Sequence, residues 1–154
     1  MKDKEVRQLL KEFIERFPSS EAELRSARIF EELPVDDNLV FFVDGKPLIL
    51  RLQSGLLPSL KFEQLTSGLP KIVVDMGAVA HVANGAQIMR PGIKQLNDDF
   101  VKGDLVVIVD EKFNKAIALG LAEMDSEAMR SQTKGIVIRN LHYVGDELWK
   151  SFTT

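Results

Sequence analysis

Short apolar runs, each ended by glycine, proline or a turn-forming dipeptide, dominate the second half of the chain and limit the folds open to it. Runs of this length are too short for core helices and are typical of strands in small sheets. They lie at residues 71–74, 87–89, 105–109, 115–121 and 135–143. Gly68 and Pro70 stand just before the first run and mark a domain boundary. We therefore predict a β-rich domain over residues 70–154 and a separate domain over residues 1–69.

Two helices interrupt the β-rich half. Asp75 is a favourable N-cap and Gly85 is a favourable residue just past a helix end, so the sequence predicts a helix from residue 76 to about residue 84. Pro91-Gly92 then end the short run at 87–89. A second helix of about one turn is predicted after Asp125.

The first half of the chain mixes helix and strand. Apolar residues recur at helical spacing from Val6 to Phe17, and Pro18 cannot continue the helix, which predicts a helix over residues 3–17. Ser20 opens a capping-box pattern, so a short second helix is expected there. The segment 27–33 is compatible with either a helix or a strand.

A hairpin follows in the first half. Asp44-Gly45 tolerates positive φ at a tight turn and separates two apolar runs, residues 39–43 and 47–52. Ser54-Gly55 and Pro58 then break the chain, and a short helix is expected over residues 59–66. The chain as a whole is predicted to be α+β.

The composition excludes several kinds of chemistry. The chain has no cysteine and two histidines, which rules out disulfides, thiol catalysis and cysteine-based zinc sites. It contains no P-loop, nucleophile elbow or dinucleotide-binding fingerprint. We therefore expect no cofactor, no metal and no enzymatic activity.

Nothing in the sequence indicates a membrane. The N-terminus is charged and lacks the apolar core of a signal peptide. The longest apolar stretches are far too short to span a bilayer. A cytoplasmic location without membrane contact is the expectation.

Charge is unevenly distributed along the chain. The net charge is −3, yet three tracts contain no Asp or Glu: residues 46–62, 76–97 and 128–145. They hold eight of the 20 basic residues and none of the 23 acidic ones. If the tracts meet in space, they form a local surface that attracts anions on an acidic protein. Partly buried strands, in which acids are scarce anyway, are an equally good explanation at this point.

The pattern of glycines and prolines resembles a known family. The residues that carry the resemblance are Val74-Asp75-Met76-Gly77-Ala78, Val82, Gly85-Ala86, Met89-Arg90-Pro91-Gly92-Ile93, Gly103-Asp104, 118–120 and Gly135. They are similar to a PUA domain, the RNA-binding fold of pseudouridine synthases and archaeosine transglycosylases. Phe17-Pro18, Asp44-Gly45, Pro58-Ser59-Leu60 and the ending Asn140-Leu141-His142-Tyr143 with Leu148-Trp149 extend the likeness to the malignant T-cell amplified sequence, or translation machinery-associated, family.

This resemblance covers essentially the whole chain. It implies an N-terminal α/β pre-PUA domain packed against a C-terminal PUA pseudo-barrel. The eukaryotic members associate with the small ribosomal subunit and act with a partner protein in translation initiation, reinitiation and recycling. A chain without cysteine is expected to be an archaeal relative.

The resemblance and the acid-free tracts together indicate candidate RNA-binding residues. PUA domains use the region between their first helix and the next strand to hold RNA, and their last strand runs near the same surface. Glycine there lets a phosphate or sugar approach the backbone N–H groups closely, and arginine pairs with phosphate through two hydrogen bonds. The predicted RNA-binding residues are His81, Asn84, Gly85, Ala86, Arg90, Gly92, Lys94, Lys134, Arg139 and His142. Because strand side chains alternate, Arg139 and His142 should point to opposite sides, so at most one of them faces RNA.

Three hypotheses of function remain open from the sequence. The first is a non-catalytic protein that binds ribosomal or transfer RNA during translation. The second is an RNA-binding accessory subunit of a tRNA- or rRNA-modifying enzyme of the archaeosine transglycosylase or pseudouridine synthase type, since the first seventy residues are too few for either catalytic domain. The third is an enzyme in its own right, although the sequence contains no recognisable catalytic motif.

Overall fold

The computed structural model describes residues 1–153. The chain divides into two compact units. Residues 1–65 with residues 151–153 form the first unit, and residues 66–150 form the second. Both units combine helices and strands, which confirms the predicted α+β class.

The first unit is built on an antiparallel sheet with the strand order β1-β2-β3-β4. Its elements are α1 (Asp3–Arg16), a 3-10 turn (Pro18–Ser20), α2 (Glu21–Ser26), β1 (Phe30–Val35), β2 (Asn38–Val43), β3 (Lys46–Leu52) and β4 (Gly55–Pro58), and α3 (Glu63–Thr66) follows. Helix α1 buries the apolar face that its spacing predicts and ends where Pro18 follows. Phe13 stacks on Phe62, with 6.2 Å between the ring centres, in the core of this unit.

The predicted hairpin between β2 and β3 is confirmed. Both turn residues have positive φ, +49° at Asp44 and +82° at Gly45. The Asp44 carboxylate accepts the N–H groups of Ile29 and Arg28, and these hydrogen bonds hold the pKa of Asp44 below its usual value. The turn therefore also fixes the chain that enters β1.

The second unit is a six-stranded sheet that nearly closes into a barrel. Its elements are β5 (Lys71–Val74), α4 (Met76–Val82), β6 (Ile88–Met89), β7 (Ile93–Gln95), β8 (Leu105–Asp110), β9 (Ala116–Ala122), α5 (Ser126–Ser131), β10 (Ile136–Tyr143) and α6 (Glu147–Ser151). The strand order is β6-β10-β9-β8-β5-β7, and every pair is antiparallel except β5 with β8. A 3-10 turn at Arg90–Gly92 joins the two edge strands, which brings the ends of the sheet together.

The sequence was ambiguous or wrong at several elements. Residues 27–33, compatible with helix or strand, enter β1, because Phe30 pairs with Val43 of β2. Strand β4 was predicted as a break in the chain, but its leucines are buried and it pairs with β3. Ser20 does not cap α2, because its own backbone is helical and its hydroxyl donates to the Phe17 carbonyl. In the part of the chain that the structure describes, no helix is long and apolar enough to cross a membrane.

Candidate nucleic-acid interface

Two of the acid-free tracts, residues 76–97 and 128–145, lie side by side in the second unit. Strand β6 pairs with β10, where Met89 is opposite Ile136, and the Arg90 N–H donates to the Gly135 carbonyl at 2.9 Å. Asn140 joins the tracts further along, because its amide nitrogen donates to the carbonyls of Val82 and Ala86. The third acid-free tract, residues 46–62, belongs to the first unit. That it lies beside the other two tracts stays a prediction.

We call eight exposed residues of these two joined tracts the α4–β10 surface. They are His81, Asn84, Gln87, Met89, Lys94, Lys134, Ile136 and Arg139. None of the eight is acidic, and they come from α4 and the segment after it, from β6 and β7, and from β10 and the residues just before it. The fold thus turns two separate stretches of sequence into one neutral-to-positive surface.

Gly85 and Ala86 form the end of α4 in a Schellman motif. Gly85 lies at φ +86°, its N–H donates to the Val82 carbonyl, and the Ala86 N–H donates to the His81 carbonyl, each at 3.0 Å. The two backbone donors predicted to hold a phosphate are therefore already used within the helix end. That part of the prediction is corrected: glycine is needed here for the left-handed turn and for space.

Gly85 also packs closely on an aromatic ring. A Cβ placed on Gly85 would lie 3.1 Å from the Tyr143 hydroxyl oxygen and 3.2 Å from the ring carbon Cε1. Tyr143 belongs to the last strand, so this contact fastens the end of α4 to β10. The absence of a side chain at Gly85 therefore sets how closely the helix end approaches the strand.

Replacing Gly85 with alanine is expected to lower the free energy of unfolding by about 2 kcal/mol, because a left-handed backbone and a crowded Cβ both oppose the change. The matched control is Gly145→Ala. Gly145 has φ +98° but nothing within 4 Å of an added Cβ, so its replacement carries the backbone cost alone, about 1 kcal/mol. Urea unfolding of both variants checks the difference. Equal losses would show that the Tyr143 contact does not crowd the site.

Arg90 and Gly92 both contact other parts of the protein. The Arg90 guanidinium donates from Nε to the Met129 carbonyl at 2.8 Å and from Nη1 to the Ile93 carbonyl at 3.4 Å. Gly92 lies against α4, where an added Cβ would be 2.8 Å from the Ala78 Cβ. These two bonds use only part of the guanidinium, and the predicted role of Arg90 in binding phosphate stays a prediction.

His142 is completely buried, at 0% exposure, and cannot touch RNA in this structure. Its Nδ1 lies 2.8 Å from the Asp146 carboxylate. A bulge between Asn140 and His142 interrupts the pairing of β10 with β9 just before it. Arg139 is exposed, so the two residues do point to opposite sides, but the inward one is excluded from the interface.

The Asp146 carboxylate is the centre of this buried polar group. Besides His142 it accepts the N–H groups of Tyr143 at 2.9 Å and Trp149 at 2.7 Å. Burial would raise the pKa of Asp146, but the hydrogen bond and charge of His142 and the two backbone donors outweigh it and hold the pKa below its usual value. The hydrogen bonds of Asp146 thus connect the end of β10 to the first turn of α6.

The remaining predicted residues are exposed. His81, Asn84, Lys94 and Lys134 all face solvent. Asn84 donates from its amide to the Ala80 carbonyl at 3.1 Å, and Arg139 pairs with Glu123 at 3.2 Å. Within residues 1–153, no ion pair involves His81, Lys94 or Lys134. These three side chains carry the ionisable groups that the structure leaves unpaired here.

Sequence reasoning missed an apolar pair on this surface. Met89 is 47% exposed and Ile136 is 53% exposed, and the two lie opposite each other where β6 pairs with β10. Alternation along the strand indicated that Met89 faces away from the buried Ile88. Only the pairing of two distant segments shows that the exposed side chains form one patch beside Lys134.

The sequence is similar to known PUA-domain proteins. The PUA domain family model matches residues 70–144. An uncharacterised archaeal protein of Methanocaldococcus jannaschii is 34% identical over 149 residues, which cover 95% of this chain and 91% of that protein. Translation machinery-associated protein 20 of Schizosaccharomyces pombe is 32% identical over 127 residues, which cover 78% of this chain and 70% of that protein. The chain belongs to the translation machinery-associated protein 20 family of PUA-domain proteins. The resemblance drawn from its glycines and prolines is confirmed.

The chain is also similar to a solved PUA domain structure and to part of an RNA-modifying enzyme. A PUA domain structure from Aeropyrum pernix superposes with a TM-score of 0.75 at 26% identity and covers 99% of this chain and 89% of that one. Probable tRNA pseudouridine synthase B of Pyrococcus horikoshii is 43% identical over 76 residues, which make up 22% of that enzyme. The likeness to the synthase thus concerns about half of this chain and a small part of the enzyme. Among residues 1–153, no group of three or more His, Asp or Glu side chains is placed to hold a metal ion.

Proposed function

We propose that this protein is a non-catalytic RNA-binding protein of the translation apparatus that contacts ribosomal or transfer RNA through the α4–β10 surface. The observation that carries the proposal is the joining of two acid-free tracts into one surface on a chain with net charge −3. The names of the relatives support a role in translation. We further infer action during initiation or recycling on the small ribosomal subunit, together with a partner translation factor.

The chemistry of the surface suits RNA. Lys134 supplies a charge for a phosphate, and Lys94 lies just beyond the turn that joins β6 to β7. The exposed Met89 and Ile136 add an apolar patch against which an unstacked base can pack. Since acidic residues repel RNA, binding is expected to favour this acid-free surface and to weaken as salt rises.

A second candidate is an accessory RNA-binding subunit of an RNA-modifying enzyme. The 43% identity to part of a tRNA pseudouridine synthase favours it. Both candidates require the same RNA surface, and they differ in the partner. Affinity purification of the tagged protein from its own cells separates them: recovery of small ribosomal subunits supports the first candidate, and recovery of a modification enzyme without subunits supports the second.

Reversing two charges tests the surface. The double substitution Lys94→Glu and Lys134→Glu is expected to weaken binding of a fluorescein-labelled single-stranded RNA by about tenfold or more at low salt. Each lost phosphate contact should also reduce the slope of log K against log salt by about 0.7. Fluorescence anisotropy over a salt series measures both quantities.

The control variant is Lys11→Glu, which makes the same charge change at an exposed position on α1. It should leave the affinity close to that of the unmodified protein. Circular dichroism should show that all variants stay folded, since each replaced lysine is exposed. An affinity that is the same for the double variant and the control would remove the α4–β10 surface from the proposal.

A further inference from the structure

The hairpin between β8 and β9 ends in an exposed aromatic ring between two lysines. The connecting residues are Glu111-Lys112-Phe113-Asn114-Lys115, and Phe113 is 71% exposed, the most exposed of the large apolar side chains in residues 1–153. The Lys112 ammonium lies 5.2 Å from the centre of the Phe113 ring, within the range of a cation–π contact. We call residues 111–115 the hairpin tip.

Hydrogen bonds to Asp110 hold the backbone of the hairpin tip in place. The Asp110 carboxylate is buried and accepts the N–H groups of Phe113 and Lys115. The Asn114 N–H donates to the Asp110 carbonyl at 3.0 Å, and Asn114 takes the left-handed conformation at φ +54°. These bonds fix the backbone that carries the ring, so a ligand meets Phe113 without having to order a loose loop.

The charges at the hairpin tip favour an anion. Lys112 and Lys115 are both exposed, and neither forms an ion pair with any other residue of the described chain. The carboxylate of Asp110 is turned inward, and that of Glu111 accepts the Met76 N–H at 2.9 Å. The Lys112 ammonium therefore stands beside the ring and exposed Lys115 follows two residues later, while both neighbouring acids are engaged with the backbone.

We propose that the hairpin tip is a second RNA contact, in which one base stacks on Phe113 and the lysines on either side bind the adjoining phosphates. The inference rests on the proposed function, because it assumes that the protein binds RNA. The Met76–Glu111 hydrogen bond places the hairpin tip at the start of α4. That helix has seven residues and is about 10 Å long, and the α4–β10 surface begins at its other end. One strand of RNA can therefore reach both places.

The surroundings of Phe113 favour a nucleotide over a protein partner. Protein-docking sites present a contiguous apolar patch, whereas every other residue of the hairpin tip is polar or charged. A lone ring flanked by lysines matches the way single-stranded nucleic acid is held, with a base on an aromatic face and phosphates on basic side chains. The probe for this site is therefore single-stranded RNA.

Substitution of the ring tests the stacking. Phe113→Ala is expected to weaken binding of a short fluorescein-labelled single-stranded RNA by about tenfold. Phe113→Leu keeps an apolar side chain without a ring and should lose nearly as much. Phe113→Trp should retain the affinity, and its fluorescence should be quenched on adding RNA beyond any quenching of Trp149 seen in the unmodified protein. Because Phe113 is exposed, all three variants should stay folded.

Substitution of the lysines tests the phosphate contacts. Lys112→Ala and Lys115→Ala together should reduce the slope of log K against log salt by about 1.4, while Phe113→Ala should leave the slope unchanged. Lys102→Ala is the matched control. Lys102 is exposed and lies before the start of β8, at the opposite end of that strand from the hairpin tip, so this variant should bind like the unmodified protein.

The outcomes separate this inference from the proposed function. Loss of affinity in the Lys94→Glu, Lys134→Glu protein with none in the Phe113 variants would overturn the hairpin contact alone. No binding by the unmodified protein would overturn both. Full affinity of Phe113→Leu would exclude stacking. Unchanged RNA affinity with loss of Phe113→Ala protein from purified small ribosomal subunits would show a protein contact instead and would overturn the proposal.

Discussion

Replacing Asp146 with alanine is expected to lower the free energy of unfolding of the second unit by about 3 kcal/mol. The carboxylate accepts hydrogen bonds from the buried His142 ring and from the N–H groups of Tyr143 and Trp149. Alanine would leave these donors without the acceptor, and α6 would lose the side chain that caps its first turn. Urea unfolding followed by the fluorescence of Trp149, the one tryptophan in the chain, measures the loss.

Two control variants show which part of the carboxylate matters. Asp146→Asn keeps an oxygen that can cap α6 but loses the negative charge, so it should cost less than alanine. Glu147→Gln changes the neighbouring acid, which is exposed and pairs only with exposed Lys150, and should cost less than about 0.5 kcal/mol. If Glu147→Gln destabilised the protein as much as Asp146→Ala, the buried hydrogen bonds would not be the cause.

The contribution of Asp146 should also depend on pH. Its pKa is lower in the folded protein than in the unfolded chain, so the unfolded chain takes up the proton first as the pH falls. The stabilisation is therefore complete above the unfolded pKa, about 3.9, and is lost as the pH falls through the folded value. The difference in stability between the unmodified protein and Asp146→Asn should stay constant near neutral pH and shrink in acid. A difference that grew in acid would contradict this sign.

Replacing Arg90 with methionine is expected to lower the free energy of unfolding by about 2 kcal/mol. The guanidinium holds the Met129 carbonyl at the end of α5 and the Ile93 carbonyl at the start of β7. Hydrogen bonds from a charged donor are worth more than neutral ones, and methionine fills similar space without replacing them. Arg90→Lys should restore only part of the stability, because one amine cannot copy the fork of the guanidinium.

The matched control for Arg90 is Lys94→Met, which removes an exposed charge four residues later. Its effect on stability should be within about 0.5 kcal/mol. RNA affinity then separates the two roles proposed for Arg90. Measured well below its unfolding transition, Arg90→Met should bind RNA almost as the unmodified protein does. A large loss of affinity with unchanged stability would restore the direct phosphate contact and would show that the carbonyl contacts matter little.

The sequence predicted most single elements of the second unit but few of its contacts. Glycine and proline mark the ends of β5, α4 and β10, because their backbone preferences act locally. The sequence likewise showed the acid-free tracts, but it did not show whether they are buried strands or an exposed surface. Pairing of β6 with β10 decided that, and it brings together residues nearly fifty positions apart. A single sequence carries no signal for a pairing over that distance.

The candidate site divides in the same way. His81, Asn84, Lys94, Lys134 and Arg139 are exposed, and their role in binding RNA stays a prediction. Arg90 and His142 belong to types of residue that bind phosphate and were chosen for that reason. In the structure each hydrogen-bonds to a polar group of the protein, and those partners lie on other parts of the fold.

By itself, the sequence determined most of the elements, the family and the position of the acid-free tracts, because turns, helix ends and charge depend on neighbouring residues. Only the tertiary structure decided which basic side chains face solvent, because a histidine or arginine can serve a ligand or the protein's own carbonyls and carboxylates. It also decided that the Phe113 ring is exposed on a hairpin tip, since a phenylalanine side chain is ordinarily buried in the core.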